Sequence, residues 1–386
     1  MRRILSLWMA LVLSAGIHSP AQSAESGARD ALTVQAARNK SVEQFGGKKY
    51  YDPRHFDLSD LPAYVPEQNV AGPIRIWGSD MFGGTELKSN LEAGFRKFHP
   101  EVSFEYDLRG PAMAFAGLLT ERADLGPSRR ITWDALLAFQ RLFNHDPLTI
   151  SGMTGWAVNP PFAIMVNKNN PLRGLTMKQL DGIFGAERNG GWVGTTWHPE
   201  FARGPEDNIR TWGQLGLSGK WKDKPIHVYG YGLRYLFGPR FSDDVLKGSD
   251  KWNENLKQYV NFAQADGSLK SADQQMADEL AKDPYGIAYY GHLRGISDQI
   301  KAVPLAMQNV GPYVRLTVDT VHDRSYPLYD KMYIYINRTP GQPLDPKVKE
   351  FMRFILSREG QQEIARDTTM LPLTGEEARV ELAKLN

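Results

Sequence analysis

The sequence predicts an α/β fold built as two lobes, with parallel strands covered by helices. Three observations carry that reading. From residue 71 onward, short apolar runs of strand length alternate with stretches whose apolar residues recur every three or four positions. The chain has 386 residues, enough for two domains at roughly 100–200 residues each. With 41% hydrophobic and 23% charged residues, it has the composition of a globular protein that can bury a core.

The N-terminus reads as an export signal. Arg2-Arg3 are a positive start, Ile4 to Ile17 an apolar core, and Ala21-Gln22-Ser23 with Ala24 a small-residue cleavage site. Residues 1–24 are therefore expected to be removed, leaving a soluble periplasmic protein. The apolar core falls short of the roughly 20 residues that a spanning helix needs. Residues 25–70 form an arm, polar at first and then rich in proline and aromatics. Tyr50, Tyr51, Phe56 and Tyr64 give its later part apolar area to lay against the body.

Ile74-Arg75-Ile76-Trp77 reads as a strand that breaks at Gly78 and at Gly83-Gly84 before Leu87, Leu91 and Phe95 take up helical spacing. Such a strand-to-helix junction turns backbone N–H groups and the positive end of a helix dipole toward a crevice, and makes a cradle for an anion. Helix Leu87–Phe98, strand Val102–Tyr106, helix Ala112–Arg122 and helix Trp133–Phe143 follow. Pro161 to Asn167 is a continuous apolar strand, and Leu175 to Phe184 a short helix. After a loop-rich stretch from Gly190 to Gly219 come strands at Ile226–Tyr229, Gly286–Gly291, Ala302–Leu305 and Lys331–Asn337. Helices at Pro346–Ser357 and from Glu359 onward close the chain.

Read together, these segments resemble the periplasmic phosphate-binding proteins of ABC transporters, from about Pro73 to Leu373. The resemblance rests on Gly78-Ser79-Asp80, Ala123-Asp124-Leu125-Gly126-Pro127-Ser128-Arg129, Leu175 to Phe184 and Thr211 to Gly219. It continues in Asp283-Pro284-Tyr285-Gly286-Ile287-Ala288-Tyr289, Tyr326-Pro327-Leu328-Tyr329, Tyr333 to Asn337 and Phe354 to Gln361. It implies a two-lobed periplasmic binding protein, type II-like, whose lobes are joined by two crossing segments. Lobe one would take residues 71–158 and 325–386, and lobe two residues 159–324, with Phe162-Ala163-Ile164 and Tyr333-Ile334-Tyr335 as crossing strands. It also implies a small anionic ligand, an inner-membrane ABC permease as partner, a monomer, no cofactor and no enzymatic activity.

The family holds phosphate with hydroxyls, backbone N–H groups, an arginine and an acidic acceptor, and this chain departs from that set. Met81 stands where a hydroxyl follows Gly-Ser-Asp, Gly110-Pro111-Ala112-Met113 where a Gly-Ser-Ser-Thr run is usual, and Tyr235-Leu236-Phe237 where Ser-Gly-Thr is usual. A hydrogen bond to a charged group contributes about 1.5–3 kcal/mol, so losing some four donors costs at least about four decades in affinity. Tight binding of free phosphate is not expected. The candidate ligand residues are Gly78, Ser79, Asp80, Met81, Arg109, Gly110, Ser128, Arg129, Tyr231, Arg234 and Tyr235. Guanidinium groups pair with oxyanions in bidentate fashion, and Arg129 carries the matched motif. Arg130 and Arg240 read as solvated surface arginines.

Other chemistries find little support. With a net charge of +2 and no Lys/Arg run, a nucleic-acid partner is not expected. The absence of cysteine excludes disulfides, thiolate metal sites and thiol nucleophiles. There is no Gly-x-Ser-x-Gly, Gly230-Tyr231-Gly232 lacks the third glycine of a dinucleotide turn, and Gly219-Lys220 precedes Trp221 where a phosphate loop needs Ser or Thr. The eight histidines show no metal-ligand spacing. Three readings remain: a transport receptor for phosphate or an organic oxyanion, a binding fold that has lost phosphate and serves protein interaction or sensing, and a hydrolase, for which the sequence shows no nucleophile, base or metal site.

Overall fold

Local sequence starts many of the helices. Thr132 caps Trp133–Phe143 by accepting from Ala135 N, Thr176 and Gln179 form a capping box for Met177–Phe184, and Asp345 and Ser357 cap Pro346–Ile355 and Arg358–Asp367. The computed structural model describes residues 48–233, 237–291 and 297–386, together with Thr33 and Ala36. The export signal, the first part of the arm, Arg234 and Tyr235 lie outside the described residues. Among those described, no helix is long and apolar enough to cross a membrane.

Two sheets organise the chain. In the first, Lys331–Ile336 runs antiparallel between Leu148–Gly155 and Gly126–Ser128, and Met370–Leu371 pairs with Leu148–Gly155. The parallel pair Gly72–Trp77 and Val102–Asp107 joins this sheet where Ile76 bridges Leu125. In the second sheet Lys257–Tyr259, His227–Tyr231 and Gly286–Tyr290 are parallel, while Ala163–Asn167 runs antiparallel between Gly286–Tyr290 and Ile300–Ala302. Both sheets are thus mixed, where parallel sheets were expected. The reason lies in the route of the chain. Ala163–Asn167 and Lys331–Ile336 are the strands that follow a passage from the other sheet, and each enters against its neighbours.

The crossing segments themselves are not the strands named from sequence. Ala163–Asn167 and Lys331–Ile336 each lie within one sheet, and the chain passes over in the irregular stretches just before them. These two stretches bond to one another. Phe162 N donates to Leu328 O at 2.9 Å, the Tyr326 hydroxyl donates to Phe162 O at 2.7 Å, Gly155 N donates to Asp330 O at 2.8 Å, and Asn159 Nδ2 donates to Lys331 O at 2.8 Å. Buried backbone groups need such partners, and here the two passages supply them to each other.

The structure also contains elements that the apolar pattern did not single out. Strand Leu148–Gly155 carries two glycines, and the Cβ missing at Gly152 leaves room for Ile334 and Ile355. Helix Ala272–Lys282 buries Ala272, Met276, Ala277 and Leu280, and helix Gly375–Ala383 starts from a capping box of Thr374 with Glu377. Each lobe has its own apolar core. Ile74, Phe95, Ile334 and Phe354 belong to one, and Ile164, Phe184, Phe241 and Tyr289 to the other.

The later arm lies along the body. Leu61 and Tyr64 are buried in the first core; the Tyr64 hydroxyl donates to Glu350 Oε2 at 2.7 Å, and Tyr64 N donates to Glu359 Oε2 at 2.6 Å. Tyr50 N donates to Thr368 Oγ1, and the Tyr51 hydroxyl to Met370 O. Further along, Phe56 stacks on His322 with ring centroids 4.0 Å apart, and His55 Nε2 lies 2.6 Å from Asp319 Oδ1. His322 and Asp319 belong to the helix Val318–His322, which leads into the second crossing. A chain beginning at Pro73 is therefore expected to melt well below the mature protein, because each fully buried arm side chain contributes about 1.5–3 kcal/mol. Equal melting temperatures would show the arm to be dispensable.

One ion cluster ties the return crossing to the first lobe. Glu377 accepts from Arg324 and lies 3.0 Å from Lys331 Nζ. Burial alone would raise the Glu377 carboxyl, but Arg324 and Lys331 more than offset it and hold the pKa at about 2. A lowered acid pKa stabilises the fold above the ordinary value and loses that contribution as pH falls. The loss is expected between about pH 4.5 and pH 2. Glu377→Gln should reduce stability at pH 7 by about 2–3 kcal/mol and flatten this acid limb, as read by denaturant melts across pH.

Candidate functional site

The strand-to-helix junction at Gly78 is built, but its amides are occupied. A Cβ at Gly78 would sit 2.2 Å from Pro127 O, so only glycine fits. Gly78 N donates to Asp107 O, Ser79 N to Pro127 O, and Met81 N to the Ser79 hydroxyl, while Gly110 N donates back to Gly78 O. The expected backbone cradle is therefore corrected at Gly78, Ser79 and Met81. These N–H groups hold adjacent loops and not a ligand, and the helix they lead into, Asp80–Gly83, has only four residues. Met81 is buried in the first core.

Other sequence candidates are placed apart from one another. Arg109 is exposed and forks onto Asp107 with both contacts at 2.6 Å, a surface pair. Tyr231 is fully buried in the second core, where its hydroxyl binds Asp273 and accepts from Gly291 N at 2.6 Å. Ser128 donates to Pro111 O at 3.1 Å. Among the described candidates, Ser128-Arg129 leads toward the space between the lobes. Arg129, 7% exposed, sets its guanidinium 5.1 Å from the ring centroid of Phe237 in the second lobe. The turn that carries it is pinned by Tyr335, whose hydroxyl donates to Arg129 O at 2.9 Å and accepts from Ile131 N at 2.7 Å.

Around Arg129 lies a charged cluster that sequence reading missed. Arg130 Nη1 is 2.8 Å from Asp244 Oδ1 and 3.7 Å from Asp243 Oδ2, which joins the lobes. Arg240 is 5% exposed, donates from Nη1 to Pro160 O at 2.9 Å, lies 3.2 Å from Asp330 Oδ2, and stacks on Phe162 at 4.0 Å. Arg130 and Arg240 are thus not the solvated surface residues expected. The helix Phe237–Val245 sets Arg240, Asp243 and Asp244 at helical spacing, so they share one face. That i, i+3, i+4 pattern was the available signal. Its partner Asp330 comes from the second crossing and gave none.

The electrostatics follow from burial. Burial pushes the Asp243 carboxyl up to about 6 and raises that of Asp244, against the pull of Arg130. Burial also pulls the Arg130 guanidinium down, but Asp244, Tyr333, Asp330 and Asp243 together more than reverse it. Arg129, Arg130, Arg240, Asp243 and Asp330 line a cavity of about 620 Å³. Arg240 and Asp330 are ion-paired, Nε to Oδ2 at 3.2 Å, and Arg240 Nη2 is buried with no hydrogen-bond partner. No group of His, Cys, Asp and Glu suited to a metal occurs among the described residues.

Two α/β lobes, paired crossings and a charged cavity between the lobes define a two-lobed solute-binding fold. The chain belongs to the PBP superfamily: a family model for a PBP superfamily domain matches residues 157–359. Among curated relatives, it is 29% identical over 309 residues to the phosphate-binding protein PstS of Pseudomonas aeruginosa, covering 80% of this chain and 85% of the relative. PstS of Staphylococcus aureus is 26% identical over 156 residues, covering 39% of this chain and 42% of the relative. Among solved structures, PstS from Borrelia burgdorferi shares 14% identity at a TM-score of 0.49, covering 78% of this chain and 99% of that one. An ABC-type phosphate transport receptor from Vibrio cholerae shares 17% at 0.46, covering 77% and 99%.

The two arginine environments predict opposite mutational outcomes. Arg240→Met strands Asp330 as a buried unpaired charge and should cost about 3–5 kcal/mol in denaturant unfolding. Arg109→Ala removes an exposed pair and should cost no more than about 1 kcal/mol.

Proposed function

We propose that this chain is the periplasmic solute-binding component of an ABC transporter, holding an oxyanion between its lobes and presenting the ligated form to a membrane permease. The observation that carries this reading is that Arg129, Arg130 and Arg240 line one cavity between the lobes, with Arg240 Nη2 left without an acceptor. Guanidinium N–H groups donate to the oxygens of an oxyanion in bidentate fashion. The fold supports the same reading, since lobes joined by two paired passages can close on a ligand. The relationship to PstS of Pseudomonas aeruginosa, named for phosphate binding, is further support.

Free phosphate is expected to bind weakly. The family's hydroxyl positions are Met81 and Ala112-Met113 here, and the amides of Gly78, Ser79 and Met81 are spent on Asp107, Pro127 and Ser79. A second reading, a binding fold kept for docking to a protein, is favoured by one observation: Arg130 and Arg240 already have Asp244 and Asp330 as counter-charges.

Calorimetry and thermal shift at neutral pH separate the two. An anion receptor should be stabilised by phosphate or a phosphonate, with phosphate weaker than micromolar, and Arg129→Ala should weaken binding about ten- to hundredfold, as for one charged hydrogen bond. Micromolar or tighter phosphate would refute the reading of the lost hydroxyls. Indifference to every anion at millimolar concentration would favour docking.

A further inference from the structure

The charged cavity opens beside a second one of about 670 Å³ that shares Arg130, Ile131, Trp133 and Asp243 with it. Its other walls are apolar, with Leu136 from the first lobe and Trp192 and Val193 from the second. Trp133 is the first residue of its helix and is 51% exposed; Trp192 sits on the two-stranded hairpin 191–198 and is 39% exposed. Their ring centroids lie 6.4 Å apart at an interplanar angle of 64°, one indole from each lobe, and Trp197 stands 5.1 Å behind Trp192.

Both tryptophans keep indole area in water, although Trp192 also packs edge-on against Trp133 and Trp197. The two indoles meet edge-on where the lobes approach, and their outer faces leave apolar area in water that a ligand can cover. Both cavities fall in the range of about 300–1,000 Å³ that holds organic ligands.

We infer that the ligand is an organic oxyanion with a flat apolar body, its charged head at Arg129 and Arg240 and its body against Trp133 and Trp192. This rests on the anion-receptor reading above and adds the class of the ligand. Phosphonate, phosphate-ester and carboxylate heads share the required chemistry.

The test uses the mature chain with phenylphosphonate, benzoate, methylphosphonate and inorganic phosphate, read by calorimetry and tryptophan emission. Phenylphosphonate is expected to bind at least about tenfold tighter than methylphosphonate, from the apolar area of one ring. In Trp133→Ala and Trp192→Ala that ratio should fall below about threefold, with melting temperatures near wild type because both side chains are exposed. Benzoate measured against phenylphosphonate then distinguishes a carboxylate from a phosphonate head. Equal affinity for phenyl- and methylphosphonate, or an unchanged ratio in both variants, would overturn the aromatic inference and leave the anion receptor standing. If none of the four binds, both fall.

Discussion

The pairing of the two crossing segments is the constraint on which the rest of this molecule depends. Each passage between lobes must leave its sheet ladder, and its backbone groups would be buried without partners. Phe162 and Leu328, Tyr326 and Phe162, Gly155 and Asp330, and Asn159 and Lys331 resolve this by bonding the passages to each other. One consequence is directional: the strand after each passage must run against its new neighbours. Another is chemical. With the first passage held, Pro160 O accepts from Arg240, and with the second held, Asp330 is delivered to the same guanidinium.

That placement gives the space between the lobes its character. Arginines taken out of water need carboxylates, and the helix Phe237–Val245 and the second passage provide them. The result is a nearly balanced cluster and not a bare cationic pit. Balance lowers the attraction for a simple dianion, and Arg240 Nη2 remains a buried donor without an acceptor.

The arm adds a strap on the hinge side. Leu61 and Tyr64 fill the first core, whereas Tyr51 and Phe56 pack against the second, and His55 and Phe56 meet the helix that leads into the return crossing. The same aromatics that made this segment look packed in the sequence are the ones that touch the body. Its reach to His322 and Asp319 was not legible there, since nothing local says which surface an extended segment will cover.

What the sequence determined by itself is what local periodicity and glycine punctuation carry. The alternation of strands and helices, the break at Gly78 and the helix Trp133–Phe143 are all of this kind, because each depends on neighbours within a few residues. Only the tertiary structure decided which polar groups would meet. Arg109 finds Asp107 two residues away and stays at the surface, Tyr231 turns inward to Asp273, and Arg240 is drawn inside by an aspartate from a different segment. A guanidinium looks the same in a sequence whether water or a buried carboxylate will answer its charge. That answer depends on how two distant passages of the chain pair, which no local pattern records.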